Sequence, residues 1–356
     1  MEPSPAFMVY CGREWENHAR DAEDHPTDGM GRFINFITYP GQSPLAVTAR
    51  LPAVRSPRTS VINSWLRKVA ISGNEKFVGF LLSQGAKRDS ADFRGWTAVQ
   101  LAAKNGNSEV IHLLHQKGAD LNAVPAHIDG RTPVQTAAEE GKTEIIDQLL
   151  ELGANVNSLP AKINGRTALQ AAAEKGLGDT VQHLVKLKGK KKVDPNVEGA
   201  EVSGVTALLA AAGSGGEWQM GKNIHRTIKQ RSRLPGSAEI DTQKIAEEDQ
   251  QDRDQRLQEE VNHERVVSIL VKHGAQLIPN QFNWTALHAA VERESDQMVD
   301  DMLGKFSKEN CNIKGDHDGT PLHSAKAKAN EDLAKKLEEK GGSDECHYSK
   351  LDLDAM

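Results

Sequence analysis

Gly-Arg-Thr-Pro-Val-Gln-Thr-Ala-Ala-Glu-Glu-Gly-Lys-Thr-Glu-Ile-Ile-Asp-Gln-Leu-Leu-Glu-Leu-Gly-Ala-Asn-Val-Asn-Ser-Leu-Pro-Ala-Lys-Ile-Asn, residues 130–164, is the unit from which the chain is assembled. Thr132 followed by Pro133 and Gln135 has the spacing of a capping box, with proline at the first helical position, so a helix is predicted to start there. Ala137 and Ala138 keep one face flat, and Gly141 stops the helix. Ile145, Ile146, Leu149 and Leu150 then recur at helical spacing up to Gly153, a terminating glycine. Gly-Ala-Asn-Val-Asn turns the chain away into a loop, here called a finger.

The same landmarks recur at Ser64, Thr97, Thr132, Thr167, Thr206, Thr285 and Thr320, in steps of 33, 35, 35, 39, 79 and 35 residues. A glycine nine residues after the cap stands at Gly73, Gly106, Gly141, Gly176 and Gly215. A second glycine, twenty-one after it, stands at Gly85, Gly118, Gly153 and Gly341. A period near 33 with Thr320-Pro321-Leu322-His323-Ser324-Ala325 resembles the ankyrin repeat. The stretch 165–176 with its Leu-Pro-Ala finger resembles arrays common in filamentous fungi. The resemblance covers about residues 60–345. It implies an all-α solenoid of six to seven helix-turn-helix repeats with finger loops. Departures are Ser64 with Trp65-Leu66, Leu209 where Gln or His closes the cap, and Glu294 and Ala329 where Gly is expected. They make the first, fifth and last two repeats less regular.

One such repeat cannot stand alone. Burying roughly six apolar side chains yields about 12 kcal/mol, whereas fixing some thirty backbones costs on the order of 1 kcal/mol each. Neighbours must share a core, as in a quasi-one-dimensional stack.

The net charge of −6 gives no global case for nucleic acid, and no apolar run reaches the length of a membrane span. Residues 1–30 carry Glu14, Glu16, Asp21, Glu23, Asp24 and Asp28 and fit neither a secretory signal nor a transit peptide. Three scattered cysteines, Cys11, Cys311 and Cys346, argue against a disulfide framework or a zinc site and for a reducing compartment. The expectation is a soluble monomer in the cytoplasm, with the nucleus as the alternative.

Three domain-level segments follow: an irregular leader at 1–59, the repeats at 60–346 and a tail at 347–356. The leader holds six of the sixteen aromatic residues, so either Phe33–Ile37 caps the first repeat or the segment binds a partner by itself. Ser56-Pro57 has the form of a phosphorylation site. Lys186–Lys192 places five lysines in seven residues, read as a solvated loop or as an import or phosphate-contacting patch. Gly274 stands 59 positions after Gly215 where the ruler sets 12, so 47 residues are inserted at about 216–262. The insertion is basic from Lys222 to Arg233. From Glu239 to Glu264 it carries ten acids against three bases, and that half is either a protruding polar helix or an irregular excursion.

Chemistry-bearing motifs are few. Gly216–Lys222 matches a phosphate-cradling loop except that Asn223 replaces the magnesium-holding hydroxyl and no strand precedes it. His112 and His115 lie three apart on a helix without further ligands, and no nucleophile or paired-carboxylate set is present. No cofactor and no catalytic residue is expected. The function implied by the resemblance is non-enzymatic recognition of a protein partner, not of membrane or nucleic acid, by fingers and concave palm. The alternative is a binding subunit of a larger signalling or nuclear complex. The candidate residues are Trp65, Trp96 and Trp284 beside the caps, and Val124, His127, Ile128, Leu159, Lys162 and Ile163 in the apolar fingers. The tryptophans serve either as binding anchors or in packing, and the fingers either pack on each other or face a partner.

Overall fold

Threonine caps recur along the chain because each opens a helix. The computed structural model describes residues 59–123, 128, 130–202, 204–213, 242–315 and 319–344. The Phe33–Ile37 segment, Ser56, Val124, His127 and the Gly216–Asn223 loop lie outside the described residues. Among the described residues fourteen α-helices follow one another in seven pairs, with two short 3-10 turns and isolated bridges in place of strands.

The chain divides into two compact units, residues 1–123 with 151–153, and residues 124–150 with 154–356. The first unit holds α1 (Thr59–Ser72), α2 (Glu75–Ser83), α3 (Ala98–Asn105) and α4 (Ser108–Gln116). Within it α1 packs on α3 and α2 on α4. Helix α1 corrects one expectation. It begins five residues before Ser64, which is therefore an interior position and not a cap. Ile62, Trp65, Leu66, Val69 and Ala70 form one buried stripe through it, at the spacing of a helix face.

The second unit holds α5 (Pro133–Glu139), α6 (Thr143–Glu151), α7 (Ala168–Glu174), α8 (Gly178–Lys186), α9 (Ala207–Gly213) and α10 (Thr242–Lys272). It continues with α11 (Ala286–Glu292), α12 (Asp296–Leu303), α13 (Pro321–Ala327) and α14 (Glu331–Glu339). The first helices of the pairs form one row, α5 on α7, α7 on α9, α9 on α11 and α11 on α13. Their alanines explain the close row: Ala137, Ala138, Ala172, Ala173, Ala211, Ala212, Ala289, Ala290 and Ala325 are buried. Helices α8, α10, α12 and α14 form the second row and bury larger groups such as Leu184, Leu270, Met302 and Leu337.

The glycine rule holds in its geometry at Gly73, Gly106, Gly141 and Gly176, while Gly215 lies outside the described residues. After the first helix, a left-handed residue lets the next N–H reach back, as Asn107 N does to Ala102 O (2.9 Å), Lys142 N to Ala137 O (2.9 Å) and Leu177 N to Ala172 O (3.0 Å). Glu294 and Ala329 adopt the same conformation, at φ 58° and 56°, without being glycine. Ser295 N to Ala290 O (3.2 Å) and Asn330 N to Ala325 O (3.1 Å) are still formed, so the turn keeps its form.

A second ladder fixes the pairs to each other. Asn157 Nδ2 donates to Lys192 O (3.0 Å), Asn196 Nδ2 to Gly274 O (3.0 Å) and Asn312 Nδ2 to Gly341 O (3.1 Å). In the last two cases the carbonyl stands just past the end of the next second helix, and in the first it closes the 3-10 turn that follows α8.

The acidic half of the insertion is a continuation of α10, a 31-residue helix about 46 Å long. Gly176, in the turn between α7 and α8, and Gly178, the first residue of α8, lie beside His263 and Arg265. Residues 242–261 therefore run on past that turn. Leu257 and Val261 on this projection are exposed.

Candidate functional site

Two kinds of finger are present. The short kind is built by one side chain. Asp92 Oδ1 accepts the N–H groups of Arg94 and Trp96, both at 2.9 Å, and Asp92 N donates to Trp96 O at 3.0 Å. Asn280 repeats this with Phe282 and Trp284, both at 3.0 Å, and its N–H donates to Trp284 O at 3.0 Å. Each loop needs one left-handed residue, Gly95 (φ 83°) or Asn283 (φ 53°). Phe93, which is 93% exposed, and the exposed Phe282 stand on these loops.

The long kind is held by neighbours. Ile128 bridges to Ile163 and Ile163 to Val202, both in parallel sense. Val202 N donates to Lys162 O (3.0 Å) and Asn164 N to Val202 O (3.2 Å). At the root, Gln135 Nε2 donates to the carbonyls of Ser158 (3.0 Å) and Leu159 (3.2 Å), and Gln170 Nε2 to those of Val197 (2.9 Å) and Glu198 (3.3 Å). The glutamines that close the capping boxes of α5 and α7 thus also anchor a finger each. At Leu209 this second bond is missing for want of an amide, although Thr206 Oγ1 still accepts Leu209 N–H (3.3 Å). In α11 His288 takes the role: Nδ1 accepts Thr285 N–H (3.2 Å), so Nε2 carries the proton toward Gly319 O (3.2 Å).

Of the two readings of the long fingers, the packing of finger on finger is seen in their backbones. Their backbones pair, yet Leu159 stays 78% exposed, Ile128 56% and Val202 48%, while Ile163 is half-buried. Lys162 spans to Glu201 at 3.5 Å. Ala161 is folded inward under the tip, and Gly165 passes so close to its backbone that a Cβ would collide with it.

The residue before each cap differs between the finger types. The short fingers end on Trp96, with the Lys104 ammonium 5.5 Å from its ring centre, and on Trp284, stacked on His288 at 4.9 Å. Two of the long ones end on Arg131, paired with Glu139 at 3.4 Å, and on Arg166, paired with Glu174 at 2.6 Å, and the third ends on the buried Val205. Arg166 also donates to Gly165 O (3.0 Å). Both tryptophans are half-buried and reachable. Trp65 is not: at 3% exposure it belongs to the core of α1 and is no contact for a partner. The sequence reading missed the anchors Asp92 and Asn280 and the two Arg–Glu pairs. Their signals were present as Asp/Asn-x-x-x-Trp and as Arg with Glu eight residues on.

His112 is exposed and His115 half-buried on α4, and no group of three His, Cys, Asp or Glu suited to a metal exists among the described residues. No helix among the described residues is long and apolar enough to cross a membrane.

Residues 66–160 match the family described as Ankyrin repeats, in three copies. No curated protein matches the chain. Repeats of this kind are generally protein-interaction modules and typically carry no catalysis. Over residues 66–160 the chain is built of ankyrin repeats.

Proposed function

We propose that this protein is a non-enzymatic adaptor that holds a protein partner on its finger tips and on the residues preceding its helix caps. The observation that carries this is the row Ile128, Leu159 and Val202, apolar and exposed on loops that are fixed by paired backbones and by Gln135 and Gln170. Apolar tips held rigid lose little entropy on binding, which is where affinity is usually lost. Trp96 and Trp284 supply the aromatic anchors such surfaces favour. The helix pairs after residue 160 share the caps and turns of the matched stretch, and in this reading they extend the same array.

The test is site-specific photo-crosslinking in cells from positions 159 and 96, with position 109 on the outer helix α4 as control, followed by binding measurements with the recovered protein. Ile128→Ser with Leu159→Ser and Lys162→Ala should weaken that complex at least tenfold, about 1.4 kcal/mol, with an unchanged circular-dichroism spectrum. If the complex survives those substitutions and is lost when the projecting part of α10 is removed, the binding element is the acidic helix and the finger reading fails.

A further inference from the structure

The loop after α8 brings Lys186, Lys188, Lys190, Lys191 and Lys192 to the surface, all exposed. A 3-10 turn at Gly189–Lys191 gives the loop its shape, and Asn157 fixes its end through Lys192 O. Eighty residues later the end of α10 presents Lys272 and His273, also exposed. These two segments enclose an open concavity of about 620 Å³, lined by Val185, Lys186, Leu187, Lys188, Gly189, Lys192 and His273. His273 Nδ1 is held on Ile269 O at 2.8 Å, which fixes the ring in the wall. Among the described residues none of the six lysines has a carboxylate within ion-pair distance. The nearest acid in the sequence, Asp194, spends Oδ1 on the N–H of Asn196 at 2.9 Å.

A concentration of unpaired positive charge on a chain of net charge −6 calls for an anion. Its chemistry follows from the lining. Lysines act as point charges on mobile stems and bind phosphate groups in that way, and no arginine lines the concavity to add a planar two-handed contact. No phenylalanine, tyrosine or tryptophan lines it either, so beyond the single His273 ring bases have nothing to stack on. It is an open depression that admits a small molecule while leaving one side of it in solvent. We infer that the concavity between the Lys186–Lys192 loop and the end of α10 is a binding site for clustered phosphate groups on a small carrier, such as a polyphosphorylated inositol, free or as a lipid headgroup. This does not depend on the finger surface.

Calorimetric titration of the full chain with inositol hexakisphosphate at physiological salt tests it. One-site micromolar binding is expected, weakened at least tenfold by Lys188→Gln with Lys192→Gln and unchanged by Lys117→Gln with Lys142→Gln. Sedimentation with phosphatidylcholine vesicles containing phosphatidylinositol bisphosphate separates the sources. Vesicle binding lost in the same variant assigns the headgroup, and soluble binding alone assigns the free molecule. Absence of binding to both probes overturns the inference. So does equal weakening in the control pair, or tighter lysine-dependent binding of an acidic peptide or a DNA duplex than of the inositol phosphate.

Discussion

The short fingers at Asp92–Trp96 and Asn280–Trp284 and the long fingers at Ile128, Ile163 and Val202 solve one problem in two ways. A loop that leaves a helix pair must satisfy its own polar backbone at the surface. In the short fingers one carboxylate or amide oxygen takes two N–H groups, so the loop is self-contained. Two extra residues put the long fingers beyond the reach of any such side chain, and each satisfies its backbone on the next. The palm follows the same division in four of these five fingers. The two self-contained fingers end on an aromatic residue open to contact, two shared fingers end on an arginine already paired to its own helix, and the third shared finger ends on the buried Val205. A short finger is thus local and replaceable, whereas a long one belongs to a row.

The largest effect should separate two leucines ten residues apart. Leu149 is fully buried and Leu159 is at a long-finger tip. Leu149→Ala should cost about 2 to 5 kcal/mol in chemical denaturation, and Leu159→Ala should stay within about 0.5 kcal/mol. A comparable loss at Leu159 would mean that the tips are core.

Next is the anchor of the short finger. Asp92→Ala removes the acceptor of two backbone N–H groups and should cost about 1 to 3 kcal/mol. Lys162→Ala, which breaks only an exposed pair in a long finger, should change stability by less than about 1 kcal/mol. Equal losses would erase the distinction between the two finger types.

A smaller effect of opposite sign is expected at Ala329, an exposed residue held at φ 56°. Left-handed backbone costs an alanine about 1 to 2 kcal/mol, and glycine gives back part of that in unfolded-state entropy. Ala329→Gly should therefore raise the melting temperature slightly, and a fall would show that the turn is not strained.

The smallest effect is at the end of the last pair. A hydrogen bond from His323, followed by one from Lys326, holds the Asp344 carboxyl below the usual aspartate range. A depressed carboxyl adds stability above its unfolded value, near about 3.9, and that stability is lost as pH falls through the folded value. Asp344→Asn should thus be slightly less stable than wild type at neutral pH, with the difference vanishing in acid. A gap that persists in strong acid would assign the effect to packing.

Much of the fold was legible because its rules are local. Thr132 with Gln135, and Gly141 nine residues on, operate through bonds that close within six residues, so their spacing is readable without any neighbour. Ser64 was misread by the same ruler, since a helix already under way needs no cap. Of the candidate site, sequence marked the apolar fingers and both reachable tryptophans, but it could not tell Trp65 from Trp96. Each is aromatic and stands one position from a presumed cap. Which side of the helix faces the core depended on where α1 began.

Periodicity, helix termini and the identity of the repeated unit were thus settled by the order of residues alone, since each rests on contacts between positions a few residues apart. The pairing of Ile163 with Val202, the double duty of Gln135 and Gln170, and the meeting of Lys186–Lys192 with His273 join positions 23 to 87 residues apart. No local spacing encodes such a meeting. It exists only because stacking one pair on the next brings distant finger roots and helix ends to the same level, and there the chain satisfies the polar groups its helices leave open.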